Sequence, residues 1–382
     1  MIREKEVKVI YFIVIVYILY NLQGVLYSVG SIISQTLLFI LLFICGFYCI
    51  KTVFILRNNF IIYSLVLFLL INIGGYVFYT GANSYLAFSH LKGIMTCFLP
   101  FFITYYIAKK GTLGSNIFEI LFYALLILYI IMFGKFQNEI SVQYDTENVV
   151  NNISYCFVRL IPLLFFVRRK WFVNIILLSI ITFFVITGAK RGAIITGLLG
   201  ICIYIFYLFK LNRNKSLYSR LAFFFILIFC LFYFAEMFFY NEYVVNRFMK
   251  LSEGDISERD FIYKKIFSTW FNSPDIFHTL FGFGFISSVK ITNSLAHNDW
   301  LELLSNFGLV GVFCYLILFL SFARFIRNKN LLMNEKFSYF TIIVIWFSTT
   351  FFSTWYNSID NIPLYLLLGY IIGYKGNKIN QI

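Results

Sequence analysis

From residue 9 onward, long apolar runs alternate with short polar breaks, and most runs show no two-residue alternation. Runs near 20 residues exceed any buried strand and match the length of a helix crossing a hydrocarbon core. Twelve such segments are predicted: 9–27, 32–50, 59–79, 93–108, 117–134, 153–167, 171–188, 192–209, 221–239, 299–320, 338–354 and 361–374. The expected fold class is therefore all-α, a polytopic transmembrane bundle of about 12 spans. The first segment reads as a span rather than a cleavable signal, because its apolar core is long and no small-residue cleavage site follows. No internal repeat, low-complexity tract or linker interrupts the pattern, so residues 1–382 are expected to form one integral membrane domain.

One break differs from the rest. Between Asn241 and Asn298 the apolar pattern lapses for about 58 residues, too few for a separate enzyme domain and too many for a turn. Within it, Ser257-Glu-Arg-Asp260 has the spacing of a capping box. Ile262, Ile266 and Trp270 then recur every four residues beside Tyr263, Phe267 and Phe271, with Lys264, Lys265 and Ser268 on the other face. That pattern predicts an amphipathic helix lying on the membrane surface or against the bundle.

Composition strengthens this picture. Of 382 residues, 61% are hydrophobic and only 13% charged, with 50 Phe and 28 Tyr, and the mean hydropathy is +0.84. So few charges cannot cover an aqueous surface over that much aromatic area, which excludes a soluble enzyme, a disordered chain and a secreted disulfide scaffold. The seven cysteines lie in or at the ends of apolar runs without CxxC or metal-ligand spacing, and read as helix- or lipid-facing.

The net charge of +14 would suggest nucleic acid in a soluble chain; here it is first a statement about topology. Of the 31 Lys and Arg, 20 fall at the termini and in short connections on one side, 10 fall on the other, and Arg159 lies inside a span. Both termini are therefore expected on the cytoplasmic side, with 241–298 a large external loop, and no nucleic-acid partner is expected.

Charges that sit against this pattern are functional candidates. Lys190 and Arg191 lie in Thr187-Gly-Ala-Lys-Arg-Gly-Ala193, where small residues flank the basic pair between two apolar helices. A guanidinium there can grip a phosphate bidentately; it can equally snorkel to headgroups. Arg159 stands three residues before Pro162, either as a substrate contact or paired to carbonyls freed by the proline. Asn152 or Ser154 is expected to cap the same helix. Arg259 opens the amphipathic helix, one turn before Tyr263, where it serves a substrate or lipid headgroups.

His297 immediately precedes the tenth segment, in Leu295-Ala-His-Asn-Asp-Trp-Leu-Glu302. A neutral imidazole at the mouth of a span suits proton abstraction near pH 7. Asp299 and Glu302 have capping-box spacing, which makes Glu302 a structural residue rather than a base. His90 and His278 read as structural or interfacial, and Gly282-Phe-Gly284 as a tight turn. The carboxylates Glu253, Asp255, Glu258 and Asp260 fit no standard metal cage, so no metal and no cofactor is expected.

Taken together, three ordered pieces resemble the O-antigen ligase/polymerase superfamily, which includes the Wzy-type polymerases of O-antigen and capsular polysaccharide. The first is Thr187-Gly-Ala-Lys-Arg-Gly-Ala193. The second is Glu258-Arg-Asp-Phe-Ile-Tyr263 followed by Asn272-Ser-Pro274 and Phe281-Gly-Phe-Gly284. The third, and most specific, is His297-Asn298 with Leu301 and the downstream Gly308 and Gly311. Tyr263 stands where the family commonly has Trp, and Lys190 is inserted before the motif Arg.

The resemblance implies a GT-C-like glycosyltransferase of the cytoplasmic (inner) membrane, acting at its external or periplasmic face. It implies a glycan on undecaprenyl pyrophosphate as substrate, membrane lipids as surroundings, and a chain-length regulator protein as a candidate partner. By position, Arg191 and Arg259 would hold the pyrophosphate and His297 would deprotonate the acceptor hydroxyl. Arg159, Lys190, Tyr263 and Asn298 complete the expected substrate-binding set. Polymerisation of lipid-linked repeat units is the favoured activity, with ligation to lipid A core as the alternative and lipid-linked oligosaccharide transport as a more distant one.

Overall fold

The computed structural model describes residues 2–27, 30–55, 59–111, 113–144, 150–212 and 259–379, with scattered single positions between 213 and 258. Within them the chain is helical and contains no strand. Among the described residues, nine helices lie before residue 213: α1 (Ile2–Leu26), α2 (Ile32–Ile55), α3 (Phe60–Val77), α4 (Ser84–Phe98), α5 (Pro100–Lys109), α6 (Asn116–Tyr144), α7 (Ser154–Leu164), α8 (Trp171–Thr187) and α9 (Arg191–Asn212). From residue 259 onward come α10 (Arg259–Phe271), α11 (Ile276–Phe281) and α12 (Ser287–Thr292) within the long break, then α13 (Asp299–Phe325), α14 (Met333–Phe352), a 3-10 turn (Ile359–Asn361) and α15 (Ile362–Ile379).

Seven helical stretches among the described residues are long and apolar enough to cross a membrane, α4 and α5 counting as one stretch of 26 residues. Shorter apolar helices occupy Ser154–Leu164, Trp171–Thr187 and Ile359–Tyr374. The protein is a polytopic helical membrane protein. Each predicted segment meets a helix except 221–239, of which only scattered positions are described; 338–354 meets α14, which is not among the membrane-crossing candidates. Large apolar side chains point away from the protein along α2, where Phe39, Phe43 and Ile50 are exposed, as lipid-facing residues should be.

Backbone contacts group the chain into two compact units. The first comprises Met1–Ile40, Thr112–Asp255 and Asn330–Ile345; the second comprises Leu41–Gly111, Ile256–Lys329 and Trp346–Ile382.

In the first unit α7 packs against α6, α8 and α9. The Phe157 and Phe184 rings stack at 4.6 Å between α7 and α8. Pro162 removes a backbone donor within α7, and its own carbonyl accepts a 2.7 Å hydrogen bond from the Ser338 hydroxyl. The cap expected from Asn152 or Ser154 is not formed. Ile153 occupies the N-cap without a side-chain bond, and Asn151 Oδ1 instead accepts from the Ile153 amide at 3.0 Å. A buried Asn151 one residue earlier outcompetes them because its amide also donates to the Phe133 carbonyl at 3.2 Å.

In the second unit the tightest pairing is α5 with α15. Gly369 and Gly373, four residues apart, put one bare face of α15 against the Phe101 and Tyr105 carbonyls, so no side chain can be added there without moving α5. Small residues at this spacing are how membrane helices bring their backbones together without a hydrophobic driving force.

Candidate functional site

The second unit assembles its candidate residues around the entrance to α13. The chain reaches this helix through His297, whose φ of 51° is left-handed, and Asn298, which is extended at φ −150°. A left-handed histidine costs roughly 1–2 kcal/mol relative to an ordinary conformation and persists only where its surroundings hold it.

Those surroundings are buried polar groups. Asn298 Oδ1 accepts from the Trp300 and Leu301 amides at 3.0 and 3.1 Å, the geometry of an N-cap. Glu302 lies fully buried beneath the turn. Its Oε2 accepts from the Ala296 amide at 2.8 Å, while its Oε1 accepts from the Ser288 hydroxyl at 2.7 Å and the Asn306 amide at 3.3 Å. Asn306 Oδ1 in turn accepts from the Ser287 amide at 2.9 Å.

The capping box anticipated from Asp299 and Glu302 is therefore absent, because Asn298 takes the cap. Asp299 turns inward instead. Its carboxylate accepts from the Tyr315 hydroxyl at 2.7 Å and the Trp355 amide at 3.0 Å. Glu302 is structural, as its position suggests, through a different set of partners.

Backbone approach completes the frame. Gly282 and Gly308 face each other, and both have positive φ, 75° and 59°. A Cβ on Gly282 would stand 2.5 Å from the Phe307 nitrogen, and one on Gly308 would stand 2.5 Å from the Leu280 carbonyl carbon. Gly308 also interrupts α13 with non-helical angles. This pairing pins the 282–284 turn to the helix that carries the histidine entrance, and the Phe283 amide donates to the Ser305 carbonyl at 2.8 Å.

The amphipathic helix supplies the rest. The α10 helix begins at Arg259 in the structure; Ser257 and Glu258 of the anticipated capping box lie outside the described residues, as do Arg247, Lys250, Glu253 and Asp255. Of the expected apolar face only Ile266 is fully buried. Arg259 Nη1 donates to the Phe352 carbonyl at the C-terminus of α14, at 2.9 Å. That bond uses one of five guanidinium N–H groups and places the cation at the negative end of a helix.

Tyr263, one turn on, donates from its hydroxyl to the His297 carbonyl at 3.5 Å. Burial pushes its phenol above the usual 10.0, against the opposing influence of the Arg259 charge and of hydrogen bonds from Asn298 and Arg259. The hydroxyl therefore stays a neutral donor at physiological pH. Arg259, Tyr263, His297 and Asn298 are thus neighbours, and the His297 residue itself is exposed.

The first unit holds Arg159, Lys190 and Arg191. Arg159 is buried on α7, in contrast to the half-buried Lys190 and Arg191 at the α8–α9 turn. Ala189 in that turn is left-handed at φ 50°. Gly188 is buried against Ser154 and Asn151, and its carbonyl accepts from the Asn151 amide at 2.9 Å. Arg191 is the first residue of α9, whose first turn carries no acid.

His90 is buried and bonded, its Nε2 3.1 Å from the Tyr356 hydroxyl and its Nδ1 3.1 Å from the Asn357 amide, a structural role as its sequence context suggests. Among the described residues no group of three or more His, Cys, Asp or Glu is placed to hold a metal ion.

Residues 175–316 match the family model described as O-antigen ligase, a stretch running from α8 through the Arg191 turn, α10 and the His297 entrance into α13. This match, over a little more than a third of the chain, supports the O-antigen ligase/polymerase superfamily for that stretch. A search of curated proteins finds none that matches the chain. The matched family is one of membrane glycosyltransferase-type enzymes with lipid-linked polysaccharide substrates.

What sequence reasoning missed is the polar scaffold under the histidine. Asp299, Glu302 and Asn306 share one helix face at i, i+3 and i+7 inside an apolar segment, and that stripe was the available signal.

Proposed function

We propose that the protein polymerises lipid-linked oligosaccharide repeat units at the external face of the cytoplasmic membrane. It would move a glycan from undecaprenyl pyrophosphate to a sugar hydroxyl on a second lipid-linked unit. The observation that carries this reading is the exposed His297, fixed in a left-handed turn over buried Glu302 with Tyr263 on its carbonyl and Arg259 one turn away.

The chemistry needs little else. His297 removes the proton of the acceptor hydroxyl, whose oxygen bonds to the anomeric carbon of the donor glycan. The bond from that carbon to the pyrophosphate oxygen breaks, and its electron pair leaves with undecaprenyl pyrophosphate. The proton on His297 is then lost to water. Fixed cations stabilise the departing charge, a role for Arg259, whose remaining N–H groups can address phosphate oxygens. Arg191, with Arg159 and Lys190, keeps the phosphate-binding role that its motif implies. The leaving group carries its charge already and the acceptor needs only a base and orientation, so this route requires no metal. Tyr263 orients the histidine turn, and Asn298 caps the helix beneath it.

Ligation of the glycan to lipid A core uses the same groups, and the description of the matched family favours that second reading. Purified protein in vesicles, given undecaprenyl-pyrophosphate repeat units alone, is expected to yield a ladder of lengthened products. Absence of any ladder, with transfer appearing only when lipid A core is added, would replace polymerase by ligase.

A further inference from the structure

The segment joining α10 to the Gly282 turn borders an open cleft of about 570 Å³ that none of the groups assigned above enters. Its wall includes Ser268, Thr269, Asn272, Asp275, His278 and Phe283, with no Lys or Arg among the lining residues.

The walls are held in place. Trp270 Nε1 donates to the Thr279 carbonyl at 3.1 Å, tying α10 to α11, and the backbone of Phe283 is anchored on Ser305. The Phe283 ring lies over the His278 imidazole, with centroids 4.9 Å apart and planes inclined by 30°.

The polar groups are complementary to a polyol. Ser268 and Thr269 spend their hydroxyl protons on the Lys265 carbonyl, at 3.1 and 2.7 Å, which leaves their oxygens as acceptors. The exposed Asn272 side chain makes no hydrogen bond among the described residues and offers two donors and an acceptor. Asp275 uses Oδ1 to cap α11 at the Phe277 amide, 2.8 Å away, while Oδ2 lies 3.6 Å from His278 Nδ1. A wall with acceptors, an amide, a carboxylate and an aromatic surface, and without a cationic side chain of the Lys or Arg type, suits a neutral ring with hydroxyls on its edge and C–H groups on its face. A phosphate would find no fixed cation there.

Position agrees with chemistry. At the α-helical rise, Ser268 and Asn272 stand about 8 and 14 Å along α10 from Tyr263. We propose that this cleft is a saccharide subsite that binds the glycan at sugars removed from the reacting end. The inference rests on the reading of the substrate as a lipid-linked glycan and adds where the sugars lie. It gives the enzyme a grip on an oligosaccharide that a cluster serving only the pyrophosphate and one hydroxyl lacks.

The test uses the full chain in lipid nanodiscs. The probe is the oligosaccharide repeat released by mild acid from the producing cell's lipid-linked pool, so that it carries neither prenyl chain nor pyrophosphate. Binding is read by saturation-transfer NMR, and KM and kcat are measured in parallel with the intact lipid-linked unit. Asn272→Ala removes exposed hydrogen-bonding groups, and Ser268→Trp fills the cleft from an exposed helix position; neither touches the buried scaffold.

Each substitution is expected to weaken binding of the free oligosaccharide about tenfold, the scale of one or two lost hydrogen bonds, and to raise KM more than it lowers kcat. Failure of the wild-type chain to bind the free oligosaccharide, or equal binding by wild type and both variants, overturns the subsite. Ladder formation without oligosaccharide binding would remove the subsite and leave the transferase reading standing. Binding lost in both variants, with no ladder from wild type, would uphold the subsite and remove that reading.

Discussion

The entrances to α9 and α13 share a backbone design and differ in electrostatics. Each has a left-handed non-glycine residue two positions before its helix begins, Ala189 ahead of Arg191 and His297 ahead of Asp299. Beyond that point they diverge. The α13 entrance is capped by Asn298 and carries two buried acids in its first turn. The α9 entrance carries Arg191 as its first residue, follows Lys190, and has no first-turn acid. Cations at the positive end of a helix are unfavourable unless an anion joins them. The two entrances thus differ in local charge: two basic residues stand at the start of α9, and an asparagine cap with two acids stands at the start of α13.

The packing differs in the same sense. The α13 entrance stands on backbone against backbone at Gly282 and Gly308 and on a buried carboxylate with three partners. The α9 entrance stands on Gly188 against the Ser154 side chain. The most disruptive change should therefore fall on the histidine side. Gly308→Ala forces a Cβ onto main-chain atoms at positive φ and is expected to cost at least about 3 kcal/mol, seen as a large loss of thermal stability in detergent. Gly188→Ala, which the Ser154 hydroxyl can partly evade by rotating, should cost about half as much. Equal losses would erase the distinction between the two entrances.

Glu302→Ala comes next. It leaves the Ala296 amide, the Ser288 hydroxyl and the Asn306 amide without their buried acceptor, an expected penalty of about 3 kcal/mol. Glu302→Gln keeps one acceptor and should recover part of it. A Glu302→Ala protein as stable as wild type would show that the network does not support the turn.

Arg191→Gln sharpens the electrostatic half of the comparison. Removing a cation from the positive end of α9 should leave stability unchanged or raise it by about 0.3–1 kcal/mol. Turnover of the lipid-linked donor should nevertheless fall about 100-fold, the cost of losing a charge-assisted phosphate contact. A parallel loss of stability and turnover would make Arg191 a packing residue.

Tyr263→Phe is the mildest change. It removes one long hydrogen bond to the His297 carbonyl and should lower kcat only a few-fold. Since burial raises the phenol above 10.0, its proton stays bound as pH climbs through 7 to 9 and is released only at still higher pH. Wild type and variant should therefore have rate profiles of the same shape over that range, and a wild-type alkaline limb lost in the variant would contradict this assignment.

How much of this was legible in the chain follows from the range of the interactions involved. Spans depend on local composition, and segments such as 32–50 and 299–320 meet helices at Ile32–Ile55 and Asp299–Phe325. Arg259 and His297 stand out in the sequence because each is conspicuous where it stands, a charge or an imidazole at the edge of an apolar run, and Tyr263 follows Arg259 by one helical turn. Their support was not visible, because it links distant residues: Asp299 with Trp355, Asn306 with Ser287, Gly282 with Gly308. The capping box read from Asp299 and Glu302 failed for the same reason. Local spacing could not reveal that each carboxylate has a better partner elsewhere, nor that Asn298 would take the cap. The bare face at Gly369 and Gly373 is a four-residue pattern that becomes informative only once α5 is known to lie against it.

The central claim is that a rigid turn holds His297 as the base for glycosyl transfer. Its most direct test is single-turnover transfer from undecaprenyl-pyrophosphate repeat units by His297→Ala protein in vesicles, with thermal stability measured on the same sample. Loss of about 100- to 10,000-fold in the rate of chain extension, with stability equal to or above wild type, is the predicted result. Chain extension at the wild-type rate would contradict it.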